Sequence, residues 1–181
     1  MKRSLFVVAL AGTALVSLPF EAHAQILKRG TAVHFGVAAG AALPVSDLGD
    51  IANTGFNGTL TMGFTPAMIP LGIRIDGAYN QFGLKAVSES IHFASLTGNF
   101  VYRVQGKSKN AVTPYAIGGA GLYNVGVSGG GGSNNEFGWN LGGGVSLPLS
   151  GFDTFIEARY NQVQTAGTSS KYIPITFGVM F

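Results

Sequence analysis

The chain contains no cysteine. That excludes disulfides, thiolate nucleophiles and cysteine metal sites. Charge is scarce as well. Asp, Glu, Lys and Arg make up 10% of the 181 residues, against about a quarter in an ordinary soluble domain. The formal net charge is +3, and with Lys2, Arg3 and Glu21 set aside it falls to +2, from 9 basic and 7 acidic residues. So even a balance excludes nucleic-acid binding by a basic surface. Beyond the N-terminal stretch no apolar run approaches the length of a transmembrane helix. No long stretch has a helical period with caps.

The N-terminal stretch has its own pattern. Lys2 and Arg3 are followed by an apolar run from Leu5 to Leu18 and by Ala22-His23-Ala24. A positive start, an apolar centre and an A-x-A site read as a cleaved secretory signal peptide over 1–24. The mature domain is then 25–181. No cysteine stands at the cleavage point for a lipid anchor.

What fills the mature part is alternation. Turn signals divide it into eight candidate strands, 32–43, 55–65, 71–82, 91–105, 112–127, 137–149, 154–165 and 172–181. In the last, Ile173, Ile175, Phe177, Val179 and Phe181 alternate with Tyr172, Pro174, Thr176, Gly178 and Met180. That period of two is the pleat of a strand. Elsewhere Phe35 and Val37 oppose His34 and Gly36, and Ile73 and Ile75 oppose Arg74 and Asp76. Likewise Trp139 and Leu141 oppose Asn140, and Ile156 and Tyr160 oppose Glu157 and Arg159. The fifth strand is ambiguous, with Tyr115, Ile117 and Tyr123 on one phase and Ala116, Ala120 and Leu122 on the other. Odd-numbered connections such as VSDLGDIANT and SGGGGSNNE read as longer than PAMIP, GKSKN and SGFD.

Five charges fall within the strand bodies: Arg74, Asp76, Arg103, Glu157 and Arg159. All five lie on the small, polar phase. A soluble sandwich or barrel would put the apolar phase inside. An eight-stranded barrel has an interior only just wide enough for side chains. Placing every large apolar residue there would overfill it and leave an outer surface of Gly, Ala, Thr and Asn. The inverted arrangement fits: the small phase lines the lumen and the large apolar phase meets lipid. Closure satisfies every backbone group, as a bilayer demands. The expected fold is an all-β, eight-stranded antiparallel up-and-down transmembrane β-barrel.

The alternating final strand, PYAIGGAGLYNVGV (114–127), GWNLGGGVSLPL (138–149) and TFIEARYNQV (154–163) resemble the small outer-membrane β-barrel family of OmpA/OmpX type. The resemblance spans 25–181 and implies residence in a Gram-negative outer membrane. It implies an assembly signal at Tyr172, Ile175, Phe177 and Phe181, read by the barrel-assembly machinery. It also implies outer-membrane lipid as a partner.

Chemistry-bearing residues are few. In the mature part the histidines are His34 and His92, expected at opposite ends of the barrel. A nucleophile–base pair needs hydrogen-bond reach and a third orienting group. No His, Asp and Glu cluster has metal-ligand spacing. Gly118-Gly119-Ala120-Gly121 and Gly142-Gly143-Gly144 lie inside strands with no helix following, so they are not phosphate loops. The reading is not an enzyme, with no cofactor, no metal, no nucleic acid and a monomeric state. The five strand charges read as a mixed lumen network, or alternatively as a narrow ion pathway. The function expected is structural or interactive, with loops shown at the cell surface to an unidentified ligand. Alternatives are a small porin or carrier for small or apolar molecules, and a lipid-modifying enzyme.

Overall fold

A computed structural model describes residues 31–66, 70–104, 112–129, 132–165 and 168–181. The expected signal peptide lies outside the described residues. Eight strands form one closed antiparallel barrel, each paired with its sequence neighbour: β1 (Thr31–Val45), β2 (Gly55–Pro66), β3 (Leu71–Gly83), β4 (Ser90–Arg103), β5 (Thr113–Val127), β6 (Ser133–Pro148), β7 (Asp153–Thr165) and β8 (Thr168–Met180). β8 returns to β1 from Gly36↔Met180 to Val45↔Lys171. The amide of Phe35 donates to the carbonyl of Phe181 at 3.0 Å, and that of Phe181 to Phe35 at 2.7 Å. The row that leaves β1 at Phe35 passes Met62, Ile75, Gly98, Ala120, Trp139, Gln162 and Lys171. It re-enters β1 at Val45, so the strands are staggered and tilted, as closure requires.

The large alternate residues point outward. Leu60, Leu96, Phe100, Leu122 and Leu141 are each more than 60% exposed. A band of this size would be an aggregation surface in water and is the lipid face of a membrane barrel. Connections 46–54, 84–89, 128–132 and 166–167 leave one end, here the loop end. Connections 67–70, 104–112 and 149–152 leave the other, the terminal end.

Two expectations are corrected, on connection length and on the lining of the lumen. The odd connections are not systematically longer. SNNE, and TSSK in the 166–171 gap between the seventh and eighth expected strands, look like loop, but they continue β6 and β8 as hairpin ladders, with Asn124 Nδ2 donating to Asn135 Oδ1 at 2.9 Å. A short helix, α1 (Asp47–Ile51), follows the turn at Ser46 and drops Leu48 into the barrel mouth. The lumen is not lined only by small residues. β5 turns Tyr115, Ile117 and Tyr123 inward and Leu122 outward. Glycines on β6 make that possible. A Cβ on Gly138 would stand 2.6 Å from the Tyr123 ring, and one on Gly144 would stand 2.6 Å from the Tyr115 hydroxyl.

Candidate functional site

β3 and β7 face each other across an eight-stranded barrel, and both run from the terminal end to the loop end. β3 carries Arg74-x-Asp76 and β7 carries Glu157-x-Arg159. The period of two sends all four side chains inward. Because the order of signs is inverted, each charge meets its opposite across the lumen. Arg74 Nη2 lies 2.8 Å from both oxygens of Glu157, and Arg159 Nη2 lies 2.8 Å from Asp76. Arg74 Nε lies 3.1 Å from Asp76, and Arg159 Nε donates to Glu157. Two arginines and two carboxylates thus close a ring of zero formal charge, with side chains only 1 to 11% exposed.

Neutral donors complete the acceptors. The Tyr115 hydroxyl donates to Glu157 at 2.8 Å and Asn99 Nδ2 to Asp76 at 2.9 Å. The Thr61 hydroxyl also donates to Asp76. Arg74 stands 5.8 Å over the Phe155 ring. Asn140 Nδ2 donates to Asn99 Oδ1 at 2.9 Å, and Asn140 Oδ1 is a buried acceptor with no partner among the described residues. Buried charges persist only with such saturation.

Little space remains around the ring. A cavity of about 30 Å³ lies on its loop side, reaching Asn80, Tyr123 and Tyr172. One of about 20 Å³ lies on its terminal side, reaching Val101, Arg103 and Met180. Arg74 and Phe155 line both. Each holds one or two water molecules at most. Above the ring Tyr123 donates to Asn161 at 3.1 Å, and Asn57 to Asn80 at 2.7 Å. The loop end is then filled by Phe82, Phe93 and Tyr172, with ring centroids 5.1 to 5.8 Å apart, roofed by Leu48 and Ala52.

Four of the five predicted lumen charges therefore meet. Arg103 is not in the ring. It is half-buried at the terminal end, with Nη1 3.1 Å from Thr65 Oγ1. His34 lies near the terminal end on the inward phase, opposite Gly63. His92 lies on the outer face near the loop end, stacked on Tyr79 at 5.9 Å. Neither is hydrogen-bonded to a Ser, Asp or Glu among the described residues. Those residues also contain no group of three or more His, Cys, Asp or Glu that could hold a metal. Of the residues implied as an assembly signal, Ile175, Phe177 and Phe181 lie on the outer face, with Phe181 6.2 Å from Phe152. Tyr172 lies on the opposite face, inside the aromatic plug. The sequence did not single out Thr61, Asn99 or Tyr115. The first two sat on the inward phase, and Tyr115 could have been placed inward from the glycines facing it on β6.

Compared with known proteins, residues 8–181 match the outer membrane protein beta-barrel domain. The chain belongs to this family. Its outward band is therefore the lipid face of an outer-membrane barrel. No curated protein matches the chain. Among solved structures it is similar to Neisserial surface protein A, at 22% identity over 84% of this chain and 98% of that one, with a TM-score of 0.68. It is also similar to Ail, the attachment invasion locus protein of Yersinia pestis, solved with the heparin analogue sucrose octasulfate. That match has 18% identity over 84% and 98% of the chains and a TM-score of 0.51. The outer membrane enzyme PagL matches at 17% identity over 82% and 98%, with a TM-score of 0.52. At these identities the likeness carries the fold alone, and the fold is shared by barrels with and without enzymatic activity. On the barrel of this family the boundary rings stand where the lipid face meets water. Tyr102, Phe152 and Phe181 are near the terminal end, whereas Trp139 and Tyr160 lie within the apolar band beside Leu141, with Phe137 nearer the loop end than Trp139.

Proposed function

We propose that this barrel is a non-conducting outer-membrane anchor that holds a rigid loop end at the cell surface for interaction with other molecules. The observation that carries this reading is the closed lumen. The ion ring bridges opposite walls, and an aromatic plug roofed by α1 fills the end above it. A solute pathway needs a continuous polar passage, and the cavities on either side of the ring are water-sized. The loop end is also ordered for display. The 46–54 and 84–89 connections are tied by the Ala52↔Leu84 bridge, by Lys85 N to Ile51 O at 2.9 Å and by Lys85 Nζ to Gly49 O at 2.7 Å. Catalysis has no support in the separate placement of His34 and His92, because acid–base chemistry requires hydrogen-bond reach.

The test is conductance of the refolded chain in planar bilayers, with swelling of sugar-loaded liposomes beside it. The expected result is no discrete steps and no swelling. Steady conductance or swelling by small sugars would replace this reading with a pore. A lipid mass spectrum unchanged by the protein is expected in the same vesicles, and loss of an acyl chain would replace it with a lipid-modifying enzyme.

A further inference from the structure

Lys171 is out of keeping with the rest of the barrel. Every other Asp, Glu, Lys or Arg among the described residues points into the barrel or lies in a connection. Lys171, one residue from the inward Tyr172, is on the outer face of β8. Its side chain has no hydrogen bond or ion pair among the described residues. Its cross-strand neighbour is Gln162, whose own neighbour on β6 is Trp139. Tyr160 stands beside them, with its ring 5.6 Å from Trp139 and its hydroxyl 3.5 Å from Gln162 Oε1. The Gln162 oxygen faces that hydroxyl, and its amide NH₂ has no hydrogen-bond partner among the described residues. The patch therefore offers an ammonium and an amide NH₂, with no carboxylate on the same face among the described residues. Owing to the strand stagger, Lys171 stands nearer the loop end than Trp139 does. Lys171 stands just beyond Ile173, at the loop-end limit of the outer apolar band, which is the depth of the lipid headgroups. A lysine stem lies along apolar wall while its ammonium reaches that level.

We propose that Lys171, with Gln162 beside it, forms a seat for the phosphate of an anionic lipid headgroup on the outer wall of β7 and β8, loopward of Trp139. The proposal rests on the membrane-spanning barrel and not on the closed lumen, so either can fail alone. Lipid is the source of the phosphate because the patch lies on the outer wall, continuous with the lipid face. A second barrel offers no anion there, since the outer face has no carboxylate among the described residues.

Trp139 is the single tryptophan of the chain, so the site carries its own reporter. The full chain is refolded into phosphatidylcholine vesicles containing a small fraction of brominated-chain lipid, either phosphatidylglycerol or phosphatidylcholine. Quenching of Trp139 should report about a five-fold local enrichment of the anionic quencher, equivalent to about 1 kcal/mol for one lysine at a membrane surface. Lys171→Gln should bring the ratio to about one, and Lys171→Arg should keep it. Lys171→Thr, which suits a strand, repeats the loss should the Gln variant fold poorly. Excess inorganic phosphate in the buffer should leave the preference intact. Equal quenching by both lipids in the parent chain would overturn the proposal, as would a preference that survives Lys171→Gln. Abolition by free phosphate would overturn the assignment to lipid.

Discussion

Replacing Glu157 with Gln tests whether the lumen ring holds the barrel together as a unit. Glu157 accepts from both Nη2 contacts of Arg74 at 2.8 Å, from Arg159 and from the Tyr115 hydroxyl at 2.8 Å. The substitution keeps the volume but leaves Arg74 and Arg159 with one carboxylate between them, Asp76. A net positive charge is then enclosed beside cavities that admit only a water or two. Breaking a buried pair from one side costs about 3–5 kcal/mol, because the remaining charge is uncompensated. The second half of the test removes that charge. In Glu157→Gln with Arg74→Gln, the Arg159–Asp76 pair at 2.8 Å remains and the ring is neutral again. The double variant should be more stable than Glu157→Gln alone, with a coupling of about 1–3 kcal/mol. Urea titration in lipid vesicles, followed by Trp139 fluorescence and by heat-modifiable gel mobility, measures both. Additive costs, or a cost under about 1 kcal/mol for Glu157→Gln, would refute the closed ring and mean that water reaches these charges freely.

Leu141→Arg places a charge on a lipid-facing position that is 61% exposed, and near the bilayer midplane that should cost about 2–4 kcal/mol. The same substitution at the turn residue Ser150 should cost little in a vesicle unfolding titration. Gly40→Ala should impair closure of β8 on β1, because its Cβ would lie 2.7 Å from Thr176 Cα and backbone cannot yield as a side-chain tip can. About 1–3 kcal/mol of destabilisation is expected from such overpacking, read as a lower midpoint with an unchanged slope. Single cysteines are unambiguous in this cysteine-free chain. Those at Asp50 and Ser169, at the loop end, should react with an impermeant thiol reagent on intact cells, and one at Ser150 should not. The opposite pattern reverses the orientation.

The barrel was legible because its two faces meet different surroundings. Lipid selects large apolar side chains at every second position, and that regularity located all eight strands. It could not resolve β5, where the inward phase is also large. Tyr115 and Tyr123 are accommodated by glycines on the neighbouring strand, so their facing is decided by packing between strands and not by the strand's own period. The same limit hid the plug: Phe82, Phe93 and Tyr172 occupy inward positions at the loop end, where the lumen is filled by rings and not by polar groups. Polar runs misled in the other direction. SNNE and TSSK look like loop, yet they pair as strand beyond the apolar band, where a ladder needs no greasy face. Lys171 lay in one of those runs, which is why the rule that no strand charge faces outward failed at that residue.

Of the candidate site, the sequence located the charges but not their partners. Arg74, Asp76, Glu157 and Arg159 could be placed inward by parity alone. That they form one ring depends on the register that sets β3 opposite β7, and register is a property of closure. Parity placed Arg103 inward equally well, yet it stands apart at the terminal end, with Thr65 for a partner. The distinction bears on function. Charges spread along a lumen would line a path, whereas four charges of alternating sign are here drawn to one level and paired across it, which is what the proposed non-conducting reading rests on. The barrier does not rest on the ring alone, since the aromatic plug stands on its loop side with chemistry of a different kind. An ionic tie weakens as charge is lost, and an apolar plug does not respond to charge. On the proposed non-conducting reading, two unrelated interactions close the lumen, and the loop end is the part left to meet other molecules.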